Sequence, residues 1–279
     1  MKDILKLLRV KHYIKNVLIF LPLFFAGQIF SPKRIVECTY GFIAFSLTAS
    51  AVYILNDIKD VDKDRKHPTK RMRPIASGKI SKGKAGILFA GCILVAILIS
   101  VCRRQVMGLL ILGIYLIVNI MYSCGLKNIP IIDVVILASG FVLRIVYGGI
   151  IADIEISQWL YLVVMAGSLF MGLGKRRNEL VCQKETRTVL KYYSKAFLDK
   201  NMYVCVAMVD IFYAMWSMET KIIGGVWTVP LLIVIMMKYS MDIEGESDGD
   251  PIEVILRDKV LISLVIVYAL VICILLYVF

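Results

Sequence analysis

Nine apolar runs set the pattern of the chain, at about 14–30, 36–56, 84–102, 106–124, 131–152, 157–174, 201–218, 223–240 and 260–279. Crossing roughly 30 Å of hydrocarbon takes about 20 apolar residues wound as an α-helix, and each run reaches or nearly reaches that length. The pattern predicts an all-α bundle of nine transmembrane helices. No linker or shift of composition divides residues 1–279, which read as one transmembrane domain. Similar polar connections after the second and sixth runs hint at a duplicated four-helix unit, without a repeat that proves it.

Composition agrees with the pattern. Of 279 residues, 59% are apolar, and a mean hydropathy of +0.78 lies well outside soluble usage. The net charge of +12 could suggest a nucleic-acid partner, but the cations sit in connections between runs rather than along one face. Placing the N-terminus in the cytoplasm puts 27 of the 33 Lys and Arg on the inner side, five on the outer side and Arg144 inside a run. The positive-inside rule therefore predicts N-in, C-out, with no nucleic acid. The basic N-terminus precedes an apolar run with no small-residue cleavage site and reads as a retained first span. Seven scattered Cys show no metal-ligand spacing and read as packing residues, with no disulfide framework or zinc site. Two His, His12 and His67, leave a His-centred triad unsupported.

The chemistry concentrates in residues 56–78, NDIKDVDKDRKHPTKRMRPIASG. At helical spacing Asn56, Asp57, Asp60 and Asp64 fall within about a quarter turn, with Asp62 nearly opposite. Asp60 and Asp64 are like charges one turn apart, an arrangement that asks for a cation. Oxygen ligands at a membrane edge suit Mg²⁺, which binds through one or two carboxylates plus substrate phosphates. The bland alternative is a solvated loop in which Asp60 pairs with Lys63 and Asp62 with Lys66. The topology puts this stretch, the basic stretch 175–200 and the acidic loop 242–250 on one membrane face, where one site could gather them.

NDIKDVDKD followed by HPTKRMRPIASG resembles the first aspartate-rich motif, NDxxDxxxD, of the UbiA-type intramembrane prenyltransferase superfamily. Within it the chain most resembles the decaprenyl-phosphate phosphoribosyltransferases, through RVKHYIKN at 9–16, FVLRIVYGG at 141–149, GKRRNEL at 174–180 and GDPIEVILRDKVL at 249–261. The resemblance implies transfer of 5-phosphoribose from phosphoribosyl pyrophosphate to a polyprenyl (decaprenyl) phosphate, at the cytoplasmic face of a prokaryotic plasma membrane. Mg²⁺ would be held by Asp57, Asp60 and Asp64, with Asn56 orienting a metal-bound water or a carboxylate. Lys70, Arg71, Arg73, Lys127, Arg144, Lys175 and Arg176 are the cations available to phosphates, with Glu179 and Tyr192 beside them. A homo-oligomer is compatible with the sequence.

The loop after the sixth run, where prenyltransferases of the superfamily carry a second aspartate-rich motif, reads KRRNE at 175–179 and is cationic overall. Its absence argues against the alternative activity, moving a prenyl chain from its diphosphate to an aromatic or glycerol acceptor. A transporter would use intramembrane charge as a pathway, but leaves the clustered aspartates unexplained. Mid-run, Arg144 reads as functional or as half of a structural pair with Asp133 or Asp210. Gly148 and Gly149 admit either a ligand or a neighbouring helix. The hydroxyls of Tyr192, Tyr193 and Ser194 reach ribose or phosphate, or the tyrosines are interfacial anchors. Lys127 and Asp133 belong to the mouth of the cytoplasmic cavity, and DGDP at 248–251 is expected to be a turn.

Overall fold

A computed structural model describes residues 2–181, 187–220, 224–244, 254, 255 and 257–278. Cys182, Glu185, Lys221 and the expected turn at 248–251 lie outside the described residues. Every regular element among the described residues is helical. In order they are α1 Lys2–Leu8, α2 Leu21–Phe25, α3 Pro32–Lys59, α4 Val61–Lys66, α5 Lys82–Cys102, α6 Val106–Cys124, α7 Ile132–Ala152, α8 Gln158–Val181, α9 Lys195–Glu219, α10 Val229–Glu244 and α11 Lys259–Tyr277.

Seven helices among the described residues are long and apolar enough to cross a membrane: α3, α5, α6, α7, α9, the stretch Gly225–Glu244 and α11. The protein is an integral membrane protein. Two of the nine expected spans differ from a long apolar helix. Residues of the first wind as a 3₁₀ helix, Val10–Phe20, and continue into the five-residue α2, which has Pro22 near its start. The sixth, α8, runs for 24 residues but carries Lys175, Arg176, Arg177 and Glu179 within its own helix rather than in a loop.

The chain forms two compact units, Met1–Cys124 with Leu143–Glu155, and Gly125–Val142 with Ile156–Phe279. In the first, α3 is the central helix, packed by α5, α6, α1 and the 3₁₀ stretch. Its run Ser46, Thr48, Ala49, Ser50 and Ala51 is buried, and such small side chains let neighbouring backbones come close in a medium where apolar burial alone drives little association. Around it Phe45, Tyr115, Tyr147 and Ile151 fill one apolar cluster. Leu7, Ile54, Val61, Ile75 and Ile80 fill another beneath the aspartate-rich stretch. In the second unit α8 lies along α9, and Phe170, Leu198, Tyr239 and Leu261 are central to its core. Helix starts are capped by side chains, Ser194 accepting from the amide of Phe197 and Asp258 from that of Leu261.

Gly148 belongs to packing. A Cβ built there would collide with the backbone carbonyl oxygen of Ile19, in the 3₁₀ stretch, and a carbonyl cannot swing aside as a side-chain tip does. Gly148→Ala is expected to destabilise the protein by about 1–3 kcal/mol through overpacking. Gly91 meets nothing within 4 Å, so Gly91→Ala is the matched control, gaining a few tenths to about 1 kcal/mol from helix propensity. Thermal melts in detergent that gave both variants the same shift would remove this account.

Candidate active site

The aspartate-rich stretch folds as the end of α3, a one-residue junction at Asp60, and α4. The amide of Asp60 donates to the carbonyl of Asn56 at 2.9 Å and that of Asp64 to the carbonyl of Asp60 at 2.8 Å. Helical stacking therefore persists across the junction, and Asp57 and Asp64, two turns apart, share a face. His67 precedes Pro68 and is extended, as proline requires of its predecessor, which ends α4. Its Nδ1 accepts from the amides of Thr69 and Lys70, each at 3.3 Å, and turns the chain back.

That return delivers Arg73. Its Nη1 donates to Asp64 Oδ2 at 2.7 Å and to Asp57 Oδ1 at 3.1 Å. Arg9 donates from Nη2 to the same oxygen of Asp57 at 2.7 Å, with its guanidinium 4.7 Å over the ring of Tyr53. Arg9 is itself in the left-handed region, φ 52°, an uncommon conformation for a residue with a side chain. Asp57 and Asp64 are buried, at 3% and 4% exposure. Two carboxylates so withdrawn from water stay charged only with cations against them, and the two arginines supply that charge. Asp62, at 80% exposure, points to solvent near Arg65. Asn56 accepts from the hydroxyl of Ser123, while Lys59 donates to the carbonyl of Ser123 at 2.8 Å, tying the end of α3 to α6.

The second unit has a polar cluster at the charged end of α8. Arg176 is fully buried and donates to the equally buried Asp133 and, at 2.6 Å, to Glu179. Tyr193 donates its hydroxyl proton to the other oxygen of Asp133 at 2.6 Å and accepts from the amide of Ile131 at 2.6 Å. Burial first, and then the Asp133 carboxylate it faces, pushes the Tyr193 hydroxyl up to about 12, so it remains a donor at neutral pH. Arg177 donates to Asp199 at 2.8 Å and to the carbonyls of Ile243 and Glu244, completing the C-terminus of α10.

The sequence-predicted residues are placed as follows. Asp57, Asp64 and Arg73 meet directly, and Asp60 is at the helix junction. Lys70 is half-buried and Arg71 exposed on the 3₁₀ turn before Arg73. Arg144 is buried in the first unit, donating to Asn16 at 2.7 Å and lying over the rings of Phe45 and Tyr115 at 4.9 and 5.3 Å. Its structural partner is thus Asn16 with two aromatic faces, whereas Asp133 pairs with Arg176. Lys175 and Lys127 are half-buried, Glu179 is buried and Tyr192 is 72% exposed. The cations of the KRRNE stretch are largely internal: Arg176 and Arg177 are neutralised by Asp133, Glu179 and Asp199. Arg9 is the residue that sequence reasoning missed. It lay among basic residues read as a topology signal, and its 48-residue separation from Asp57 leaves no local periodicity to find.

Among the described residues no group of three or more His, Cys, Asp and Glu could hold a metal ion. The pair Asp57 and Asp64 nevertheless presents two carboxylate oxygens to one cationic nitrogen. That donor set fits Mg²⁺, which takes one or two carboxylates and completes its shell with water and phosphate oxygens.

The family model of the UbiA prenyltransferase family matches residues 17–252, across both units. The decaprenyl-phosphate phosphoribosyltransferase of Corynebacterium glutamicum is 36% identical over 92% of this chain and 81% of its own length. That of Mycobacterium tuberculosis is 32% identical over 92% and 89%. Among solved structures, a UbiA homolog from Archaeoglobus fulgidus bound to GPP and Mg²⁺ superposes with a TM-score of 0.74 at 19% identity, covering 97% of this chain and 99% of that one. A digeranylgeranylglyceryl phosphate synthase gives 0.71 at 18%, covering 98% and 99%. The chain belongs to the UbiA prenyltransferase family.

Proposed function

We propose that the protein transfers the 5-phosphoribosyl group of phosphoribosyl pyrophosphate to a polyprenyl phosphate. The oxyanion of the lipid phosphate attacks the anomeric carbon, the bond from that carbon to the pyrophosphate oxygen breaks, and pyrophosphate departs with the bonding electrons. The observation that carries this reading is the likeness, over 92% of the chain, to relatives named for decaprenyl-phosphate phosphoribosyl transfer. The geometry is compatible with it. A phosphate monoester has its second pKa at about 6 and arrives already ionised, so the nucleophile needs no histidine base. What the site has to supply is orientation and positive charge.

Arg9 and Arg73 would supply that charge, because guanidinium groups give phosphate oxygens paired, charge-assisted hydrogen bonds. Asp57 and Asp64 orient both arginines, and with Asp60 they are the residues that would hold Mg²⁺. Bound there, the metal would draw charge from the departing pyrophosphate. Asn56 is fixed by Ser123 beside this group. Lys70 and Arg71, in the same unit as Arg73, are the further cations for the donor's phosphates. The surplus of Lys and Arg in alternate connections supports a cytoplasmic active site in a prokaryotic plasma membrane.

The test presents both lipids. Purified protein with Mg²⁺, polyprenyl monophosphate and radiolabelled phosphoribosyl pyrophosphate is expected to move label into the lipid phase, EDTA to stop it, and added Mg²⁺ to restore it. Prenyl diphosphate with an aromatic acceptor is expected to give nothing. Prenylated acceptor without sugar in the lipid would replace this reading by prenyl transfer, the activity for which the family is named.

A further inference from the structure

Four polar residues of α3, Ser46, Ser50, Tyr53 and Asp57, recur at helical spacing and therefore lie along one face. That face receives the N-terminal stretch residue by residue, all within the first unit. Asn16 donates from Nδ2 to the hydroxyl of Ser46 at 2.8 Å. The guanidinium of Arg9 lies 4.7 Å from the centre of the Tyr53 ring, with the ring of His12 at 5.6 Å, and Arg9 reaches on to Asp57. Ser50, fully buried, makes two bonds of 2.8 Å, to the carbonyl of Leu8 and to the hydroxyl of Tyr13. A serine hydroxyl has one proton to give, and a carbonyl only accepts. Ser50 therefore donates to Leu8, and Tyr13 donates to Ser50.

Between the two residues that Ser50 holds stands the strained Arg9. α1 ends at Leu8, and a chain leaving a helix commonly takes the left-handed conformation on a glycine, which adopts it at no steric cost. Here φ is 52° and the residue is arginine. Strain of this kind persists where the surroundings over-determine it, and Ser50 does so by fixing Leu8 on one side and Tyr13 on the other. We propose that Ser50 and Tyr53 are positioning residues, which hold Arg9 in this conformation so that its guanidinium stands at Asp57 and meets a phosphate of the sugar donor's pyrophosphate. The inference rests on the phosphoribosyl-transfer reading and gives the N-terminal stretch a part in that site. It also explains the arginine: a glycine would make the turn and bring no charge. A guanidinium laid on a ring and bonded to a carboxylate has little freedom left to lose when a phosphate arrives.

Ser50→Ala removes both bonds, Tyr53→Leu removes the ring, and Tyr53→Phe keeps it. Ser50→Ala and Tyr53→Leu are each expected to raise KM for phosphoribosyl pyrophosphate about tenfold, the scale of one charge-assisted hydrogen bond. The phosphate carries its charge before the reaction as well as during it, so kcat stays within about twofold. Tyr53→Phe is expected to stay within about twofold throughout. Arg9→Ala also raises KM about tenfold, and adding Ser50→Ala to it changes nothing further, because residues that act through one contact are not additive. Binding of inorganic pyrophosphate with Mg²⁺ is expected to weaken about tenfold in Ser50→Ala, and amide hydrogen exchange over residues 8–13 to quicken. Neither measurement needs turnover. A double variant impaired by the product of the two single effects, roughly a hundredfold, would overturn the positioning role. So would Tyr53→Phe as impaired as Tyr53→Leu, unchanged exchange in Ser50→Ala, or quickened exchange with KM and pyrophosphate affinity unmoved. An unaltered protein that binds pyrophosphate in this pattern yet transfers no phosphoribose would sink the function reading and leave the positioning role standing.

Discussion

Asp57→Ala and Asp64→Ala each lower phosphoribosyl transfer by roughly a hundredfold or more, on the expectation that misplacing a charged group by about 1 Å already costs that much. The reasoning starts from Arg73, whose one nitrogen donates to both carboxylates at 2.7 and 3.1 Å. Removing Asp64 leaves the guanidinium on Asp57 alone. Removing Asp57 frees Arg9 from its carboxylate as well, since Arg9 meets the same oxygen. Either change also takes away one of the carboxylates proposed to hold Mg²⁺. Asp62→Ala, at a site 80% exposed with Arg65 3.8 Å away, is expected to stay within about twofold, because exposed pairs contribute about 0–1 kcal/mol. Asp57→Asn separates charge from shape: an amide keeps an oxygen for one arginine but not the negative charge that holds two arginines. Wild-type turnover in Asp57→Ala and Asp64→Ala, measured with protein that inserts and purifies normally, would remove the aspartate pair from the mechanism.

The aspartate face is legible in the sequence because its signal is local. Four residues at helical spacing define an arc whether or not the rest of the chain is known, and backbone hydrogen bonds carry that spacing through the junction at Asp60. Arg73 is legible for a related reason, lying nine residues from Asp64 in a connection too short to take it far. Arg9 and Arg144 are not. Their partners Asp57 and Asn16 lie 48 and 128 positions away, and no periodicity reports which helices meet. Hydropathy likewise detects the length of an apolar run but not its winding, so the first run reads as a span while residues 10–20 form a 3₁₀ helix. The KRRNE stretch shows the same limit from the electrostatic side. A run of cations in a connection reads as solvated or phosphate-facing, yet α8 extends through it and turns Arg176 and Arg177 inward.

That inward turn changes what Arg176→Ala is expected to do. A side chain reaching a phosphate from solvent would raise KM for the donor and leave the fold intact. Arg176 is instead fully buried, between Asp133, equally buried, and Glu179, 8% exposed. Deleting one partner of such a group leaves carboxylate charge in a site that cannot hydrate it, which costs about 3–5 kcal/mol. Across a chain of this size that is a fall in melting temperature of roughly 10 °C, expected alongside poor recovery from detergent. Asp133→Ala is expected to do the same from the other side, stranding the guanidinium and the Tyr193 hydroxyl together. Replacing Arg176 and Asp133 at once with apolar residues of similar volume should recover part of the loss, because a buried pair removed whole costs far less than a pair broken. Thermal melts and donor KM measured on the same preparations decide between the two roles: a melting temperature that holds while KM rises would make Arg176 a phosphate contact and the buried network incidental.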